Sequence, residues 1–424
     1  MRTPRQNLEN CVNRLLAGPW RFIQLRGANL DAAAIGGDDV DLLGTRQSVE
    51  ALTLAAFEWV RAGDCHIRID ARNRRKTRLT LISTDGTERL ELDLWIELWQ
   101  IDHRNRALLY EECEPILVDL PAAIRRLPLE LEICVYIHHL ASKNKDLCGS
   151  SATVRLESYL EASRGAGLSV LASELENILL SKTIPAASLE RFKAMLTPVI
   201  RMPDAGSLRH KVACLRDKFA DAWLGAPRKV SMISVMGCDG AGKTTLARSL
   251  AEDTQSYCGV LTGKHLYRKS WLYKLTVIFI RPLMFQEREK YDETIAPLVY
   301  LRACLGLRIK LLRTPKQIKL IDRSLMDFLM IERKTDRPRF CRSAWLARWF
   351  GRRIPIVHCV LPYEKVMERK AEMTLAGHDI YDVAMCRHHS RRAPTDYIVF
   401  NNSGTLGEST AALSHIIAWM GKAE

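Results

Sequence analysis

The sequence has no Cys-x-x-Cys pair among its 12 cysteines, and none of its cysteine and histidine clusters has zinc-finger spacing. Disulfide-stapled and zinc-stabilised scaffolds are therefore disfavoured, and a reduced, cytoplasmic protein is expected. Residues 1–16 lack the continuous apolar core of a signal peptide, so no export is expected. The most apolar stretch, residues 271–285, is interrupted by Lys274 and Arg281 and is shorter than the roughly 20 residues of a membrane span. We interpret it as a buried helix.

Acidic residues are fewer than basic ones: 49 aspartates and glutamates stand against 63 lysines and arginines, a formal charge of +14. A surface of this kind attracts anions. The excess fits either a solvated basic face or an anionic partner such as nucleic acid, acidic glycan or membrane headgroups. With 424 residues, of which 47% are hydrophobic, the chain is expected to form two or three folded domains.

Changes of pattern divide the chain into three regions, since it has no repeat and no low-complexity segment. Residues 1–120 mix helical periodicity with strand-like runs, including 78–83 and 88–98 around a Thr-Asp-Gly turn, which indicates an α/β domain with an antiparallel hairpin. Residues 121–226 repeat apolar positions at three and four without strand signals, which predicts a helical connector. Residues 227–424 alternate helices with continuous apolar strands, which predicts an α/β domain whose parallel sheet is flanked by helices.

One motif in the third region carries specific chemistry. An apolar run leads into a loop with the pattern G-x-x-x-x-G-K-[ST], and a helical segment follows. The glycines allow backbone N–H groups to surround phosphate oxygens at the positive end of that helix. In such a loop, Lys243 bridges the β- and γ-phosphates of ATP and the Thr244 hydroxyl ligates Mg²⁺. The predicted phosphate-binding residues are Gly237, Asp239, Gly240, Ala241, Gly242, Lys243, Thr244 and Thr245.

The loop, with its acidic residue at Asp239, resembles that of the thymidylate kinases, a branch of the nucleoside-monophosphate kinases. Further along the chain, Asp322 and Arg323 are similar to the Asp-Arg pair of that family. The resemblance implies that Asp322 belongs to the magnesium shell, that Arg323 reaches the acceptor's phosphate and that Asp239 faces the acceptor. A carboxylate at the C-terminal end of a parallel strand also lies beside such a loop on general grounds. Residues 354–373 resemble the strand and arginine-bearing lid of these kinases, which makes Arg369 a candidate catalytic residue.

The resemblance covers residues 229–424 and is incomplete, because Ser324 stands where the family usually has an aromatic residue. The segment that contacts the nucleoside in the family is not evident either. Position suggests acceptor contacts in 263–270, nucleoside contacts in 283–290, lid residues near 387–392 and base contacts after the last strand. The acceptor candidates are Lys264, His265, Tyr267 and Arg268, and the nucleoside candidates are Phe285 and Arg288. The lid candidates are Lys370, Arg387, His388, His389, Arg391 and Arg392, and the base candidates are Asn401 and Asn402.

The first region resembles a nucleotidyltransferase fold, in which a turn of small residues precedes an Asp-x-Asp pair. Gly27 and Ala28 form the turn here, and Asp39 and Asp41 alternate along a strand, so both carboxylates lie on one face. The resemblance implies shared Mg²⁺ ions, with Asp93 on a neighbouring strand as the third carboxylate. A structural copy of the fold without activity is the alternative.

These features predict a cytoplasmic, ATP- and Mg²⁺-dependent phosphotransferase in three parts. It is expected to move the γ-phosphoryl group of ATP to a small anionic acceptor, by resemblance a nucleoside monophosphate such as dTMP; a sugar or surface-polysaccharide precursor is the rival acceptor. A third interpretation is a nucleotide-binding regulator of nucleic acid or membrane, suggested by the basic, aromatic-rich segment 337–353. The linker at 225–231 predicts that a fragment beginning near Ala226 binds nucleotide on its own, and a homo-oligomer is also compatible with the sequence.

Overall fold

The computed structural model describes residues 3–26, 30–70, 75–102, 106–117, 124–143, 147, 151–201, 215, 232–253, 257–262, 275, 278, 297–298, 300–302, 304–305, 318–322, 329–331, 339–341, 354–369, 374–392 and 396–422. Its α-helices are α1 (Pro4–Ala17), α2 (Arg46–Arg61), α3 (Tyr110–Cys113), α4 (Leu129–Ser142), α5 (Ser151–Gly165), α6 (Ser169–Ser181), α7 (Ala186–Leu196), α8 (Lys243–Asp253), α9 (Tyr363–Arg369), α10 (Leu375–Arg392) and α11 (Leu406–Lys422). Its strands are β1 (Phe22–Gln24), β2 (Val40–Gly44), β3 (His66–Asp70), β4 (Lys76–Ile82), β5 (Arg89–Trp95), β6 (Leu98–Asp102), β7 (Arg106–Leu108), β8 (Ile124–Arg126), β9 (Ile200–Arg201), β10 (Met232–Met236), β11 (Tyr257–Thr262), β12 (Ile318–Asp322), β13 (Met330–Ile331), β14 (Arg339–Phe340), β15 (Ile356–Val360) and β16 (Tyr397–Asn401).

An 11-stranded sheet runs through both halves of the chain in the order β11-β12-β10-β15-β16-β3-β4-β5-β2-β1-β8. The first five strands of that order, from β11 to β16, come from the second half and pair with one another in parallel. β15 and β16 are buried along their whole length, as strands covered on both faces must be. The α/β class and the parallel sheet predicted for the second half are confirmed.

The predicted hairpin of the first half is also present. β4 and β5 pair antiparallel, with Ile82 opposite Arg89 next to the turn. Gly86 in that turn has a φ of 76°, which favours glycine. A Cβ at Gly86 would lie 2.5 Å from the carbonyl oxygen of Ala412 on α11, so the turn packs directly against a helix of the second half.

The two halves meet edge to edge in the sheet. β16 pairs antiparallel with β3, which places Tyr397 opposite Ile69 and Val399 opposite Ile67. Helix α10 packs against α2 beside this joint. One hydrophobic core contains buried residues of both halves, such as Phe57 of the first and Val399 of the second. The sheet and the core are therefore continuous across the linker at 225–231.

The predicted connector contains the helices α4 to α7, which share a second hydrophobic core. Ile23 and Leu43 of the sheet belong to the same core, so this helical layer covers one face of the first half. Two short strands, β8 and β9, also lie between residues 121 and 226, although apolar periodicity gave no sign of strands there. β8 extends the large sheet and β9 pairs with β7 in a smaller one.

Among the described helices, none combines the length and the apolar character needed to cross a bilayer. The stretch 271–285, interpreted as a buried helix, lies outside the described residues except at Leu275 and Ile278. Both are helical, and they are 39% and 61% exposed. At these two positions the predicted burial is wrong.

Candidate functional site

The glycine-rich loop connects the end of β10 to the start of α8, as its pattern predicts. Gly237, Gly240 and Gly242 have φ angles of 144°, 94° and 78°. Residues with a Cβ rarely adopt such angles. Gly237 is constrained further, because a Cβ there would lie 2.4 Å from the carbonyl oxygen of Cys359 on β15. Glycine at these positions therefore allows the backbone to curve around the N-terminus of α8, where N–H groups lack helical partners.

Lys243, the first residue of α8, folds back over the loop. It is 6% exposed, and its Nζ donates a hydrogen bond to the carbonyl oxygen of Cys238 at 2.5 Å. The same Nζ lies 3.8 Å from Oδ1 of Asp239. Burial raises the pKa of the Cys238 thiol to about 12, so that neighbour stays neutral. Because phosphate oxygens are stronger acceptors for an ammonium group than a carbonyl is, this side chain can exchange its present partner for a phosphate.

Thr244 and Asp322 meet at the C-terminal edge of the parallel sheet. Asp322 ends β12 and lies opposite Val235 of β10. The Thr244 hydroxyl donates to Asp322 Oδ2 at 2.7 Å, and among the described residues no group bonds to the buried Oδ1. A buried carboxylate oxygen without a partner is costly. The Thr244 hydroxyl and the Asp322 carboxylate, with its unbonded Oδ1, are oxygen ligands of the kind that Mg²⁺ prefers, so the residues present fit this ion.

Arg369, the last residue of α9, reaches the same loop. Its Nη1 lies 3.0 Å from the position that a Cβ on Gly242 would occupy. The structure therefore brings together Lys243, Thr244, Asp322 and Arg369, which are far apart in sequence. Of the other predicted loop residues, Ala241 is buried and Thr245 is exposed on the first turn of α8.

Several predicted residues lie outside the described part of the chain. They include Arg323, Lys370, Gly27, Ala28 and the candidates in 263–270 and 283–290. The segment 337–353 is described only at 339–341, where β14 pairs with β13. Their assigned roles stay predictions.

Two of the suggested lid residues, His389 and Arg387, differ in their environment. His389 is 2% exposed, and its ring stacks on Tyr397 of β16 at a centroid distance of 4.4 Å. Burial lowers the pKa of His389 well below the ordinary range, so the imidazole is neutral. Arg387 on the same helix is exposed. The assignment of His389 to a mobile lid is therefore wrong, because the side chain belongs to the core.

Asn401 and Asn402, suggested as contacts to the base, bind protein backbone in the structure. Asn402 Nδ2 donates to the carbonyl oxygen of Ala241 in the loop at 2.8 Å. Asn401 Nδ2 donates to the carbonyl oxygen of Val60 at 2.7 Å, and its Oδ1 accepts from the N–H of Ser403 at 2.9 Å. Both side chains are less than a tenth exposed. These amides hold the joint between the loop and the first half.

His66 lies at this joint in a single protonation state. It is 2% exposed, and burial lowers its pKa to about 4. Nδ1 accepts the N–H of Asn401 at 3.1 Å, so the proton is on Nε2, which donates to the carbonyl oxygen of Thr84 at 3.0 Å. The neutral imidazole is thus part of the folded structure.

This state predicts a stability loss in mild acid. The pKa of His66 is about 6.5 in the unfolded chain and about 4 in the fold, so its stabilisation is complete above pH 6.5 and is lost between pH 6.5 and 4. We expect the difference in unfolding free energy between the unmodified chain and His66→Asn to shrink by about 3 kcal/mol across that window. Chemical denaturation at several pH values measures it. A difference that stays constant across that window would contradict the neutral, buried state assigned to His66.

The acidic residues of the first half lie close together, as predicted. β2 and β5 are parallel neighbours, with Asp41 opposite Asp93 in their register. Asp39 precedes β2, and burial, followed by a hydrogen bond with Asp93, raises the pKa of Asp39 to about 6. Asp93 therefore lies on a strand beside Asp41, as the resemblance implies, whereas Asp39 lies just before β2 and not on it.

Asp41 has protein partners on both oxygens. Arg26 donates to Oδ2 through Nε at 2.6 Å, and the Trp95 indole N–H donates to Oδ1 at 2.7 Å. A cavity of about 10 Å³ beside these groups, which His138 also lines, has room for about one water molecule. Both carboxylate oxygens of Asp41 thus already accept hydrogen bonds from the protein.

Asp93 is neutralised from the hairpin partner strand. It forms ion pairs with Lys76 and, at 2.9 Å, with Nε of Arg78, which lies directly opposite in the β4–β5 register. Within the described ranges, no three His, Cys, Asp or Glu side chains are arranged to hold a metal ion. A Mg²⁺ ion would have to displace these cations, so the geometry gives no support to the metal site predicted at Asp39, Asp41 and Asp93. The alternation of Lys76 and Arg78 along a strand was a sequence signal for these missed partners.

The fold and the site define an α/β protein whose glycine-rich loop joins a parallel strand to a helix. No protein-family model and no curated protein matches the chain. Among solved structures, it is similar to a thymidylate kinase from Candida albicans at 13% identity, over 45% of this chain and 92% of that one, with a TM-score of 0.32.

Two other solved structures are similar over nearly half of the chain. A shikimate kinase from Acinetobacter baumannii has 18% identity over 47% of this chain and 99% of its own, with a TM-score of 0.27. A gluconokinase from Sinorhizobium meliloti 1021 has 14% identity over 46% and 95%, with a TM-score of 0.23.

Proposed function

We propose that this chain is an ATP-dependent phosphotransferase. Its glycine-rich loop binds the phosphates of ATP, and the γ-phosphoryl group of ATP passes to a small anionic acceptor. One observation carries the proposal. The Thr244 hydroxyl lies 2.7 Å from Asp322 Oδ2, beside the buried ammonium of Lys243. A hydroxyl and a carboxylate suit Mg²⁺, and a buried cation next to free helix N–H groups suits phosphate.

Each of the site residues that the structure describes has a role in this proposal. The loop N–H groups and Lys243 hold the β- and γ-phosphates, and Arg369 stabilises charge that develops on the transferred group. Thr244 and Asp322 hold Mg²⁺, which supplies neutralisation of the phosphate oxygens when bound. Arg323, outside the described residues, takes the implied role of contacting the acceptor's phosphate.

The acceptor rests on the sequence resemblance, which favours a nucleoside monophosphate such as dTMP. A sugar or surface-polysaccharide precursor is the rival. The segments that would distinguish them, 263–270 and 283–290, lie outside the described residues. Chemistry at the phosphates is therefore better supported than acceptor identity.

An acceptor screen tests the proposal. We expect ADP release from Mg²⁺–ATP to rise at least about tenfold over an acceptor-free control when one small anionic acceptor is added, because a positioned acceptor makes transfer unimolecular. The panel contains dTMP, other nucleoside monophosphates, sugars and sugar phosphates. Release that responds only to nucleic acid or to anionic vesicles would instead support a regulatory nucleotide switch.

A further inference from the structure

Two consecutive residues at the end of β16 connect the phosphate-binding loop to the first half of the chain. The backbone N–H of Asn402 bonds to the carbonyl oxygen of Val360 at 3.0 Å, and its side chain bonds to Ala241 in the loop at 2.8 Å. Asn401, one position earlier, bonds to Val60 and His66 of the first half. The loop is thus linked through two consecutive buried residues, Asn402 and Asn401, to α2 and β3 of the first half.

The contact at Ala241 determines the direction of a loop N–H group. In a trans peptide, the carbonyl of one residue and the N–H of the next point in opposite directions. The described residues contain no cis peptide bond, so fixing the Ala241 carbonyl with Asn402 also fixes the Gly242 N–H on the opposite side. That N–H belongs to the group of helix N-terminal donors that a phosphate would use.

The first half holds this arrangement firmly. The His66 ring stacks on Phe400 at a centroid distance of 4.3 Å, next to the three-residue pairing of β3 with β16. Arg68 on β3 binds Asp396, just before β16, at 2.7 Å. Arg61 at the end of α2 forms an ion pair with Asp379 on α10. Ordered partners on both sides therefore restrict the end of β16.

We propose that Asn402 is a positioning residue for the nucleotide loop, and that His66 and Asn401 make nucleotide affinity depend on the first half of the chain. The inference rests on the proposed function only in requiring that the loop binds nucleotide. It assigns to the first half a part in the kinase site that needs no catalysis of its own.

Titration calorimetry of the full-length chain with Mg²⁺–ATP tests the proposal. Asn402→Ala removes the donor to Ala241, and we expect the dissociation constant to rise about tenfold, because a loop N–H no longer presented to phosphate is one charge-assisted hydrogen bond lost. The thermal unfolding midpoint of each variant is measured first, and titrations are done well below it.

A pair of substitutions at His66 separates positioning from general stability. The shorter amide of His66→Asn places an oxygen near the Nδ1 position and retains an acceptor for Asn401, whereas His66→Gln places its amide near Nε2 and does not. We expect about a fivefold loss of affinity for His66→Gln and less than a twofold change for His66→Asn. His415→Ala is the matched control, since this histidine also bonds across the halves, to the Asp85 carbonyl at 3.1 Å, but from α11 to the β4–β5 turn and not through the end of β16.

The outcomes distinguish the two claims. If the unmodified chain binds no ATP, the proposed function and this inference both fail. If it binds ATP and Asn402→Ala binds equally well, only the positioning role fails. Equal losses for both His66 variants and for His415→Ala would mean that affinity follows overall stability, which also overturns the inference. If His66→Gln does not fold, the ATP dissociation constants of Asn402→Ala and His415→Ala are compared instead. A loss confined to Asn402→Ala supports the positioning role, and equal losses overturn it.

Discussion

Replacement of Lys243 by alanine is expected to lower ATP-dependent phosphoryl transfer by at least about a thousandfold, because its charge stabilises the β- and γ-phosphates as negative charge moves between them. The effect should fall on turnover more than on folding. Within the part of the chain that the structure describes, the side chain of Lys243 bonds to the Cys238 carbonyl and pairs with Asp239, both in its own loop. ADP release with the best acceptor measures the effect, and thermal unfolding confirms the fold.

A second lysine provides the control for this experiment. Lys193 on α7 pairs with Glu190 at 2.6 Å, and such exposed helix pairs contribute little to stability. Lys193→Ala should therefore leave transfer within about twofold of normal. Near-normal transfer by a folded Lys243→Ala variant would remove the loop from the mechanism.

A fragment that begins at residue 227 is expected to lose cooperative folding and, with it, nucleotide binding. Without the first half, β16 becomes an unpaired edge next to fully buried residues such as Tyr397 and Phe400. Helix α10 loses α2, and Asp379 and Asp396 lose their arginine partners. An exposed apolar edge strand favours aggregation. The linker pattern alone predicted the opposite, because it carries no information about strand pairing.

Co-production of the two parts makes this prediction specific. Residues 1–226 and 227–424, expressed together, should associate and recover a cooperative thermal transition, whereas 227–424 alone should show none. Circular dichroism and gel filtration measure both. A soluble 227–424 fragment that unfolds cooperatively and binds ATP would show that the shared sheet is dispensable.

The local parts of the site could be predicted from the sequence. The glycine spacing, the preceding apolar strand and the following helix are all contiguous, so the path from β10 to α8 follows from local chemistry. The meeting of Thr244 with Asp322 could be predicted too, because parallel strands end at the same edge. The first inference needs only contiguous residues, and the second needs only the direction of the strands.

Contacts between distant segments could not be predicted in this way. Periodicity identifies a strand but not its neighbour, so the pairing of β16 with β3, which brings Arg68 to Asp396 across 328 sequence positions, left no signal. The acidic residues of the first half show the same limit. Lys76 and Arg78, which neutralise Asp93, lie on the partner strand of the predicted hairpin, but Arg26, which binds Asp41, lies on a segment that periodicity does not place beside that residue.

The central claim is that the γ-phosphoryl group of ATP leaves this site attached to a small acceptor. Phosphorus-31 NMR follows this directly, in a reaction that contains the full-length chain, Mg²⁺, ATP and the acceptor that releases most ADP. The account predicts a new phosphomonoester or diphosphate resonance that grows in step with ADP and is absent with Lys243→Ala. ADP accompanied only by inorganic phosphate, or an unchanged ATP spectrum with every acceptor, would contradict it.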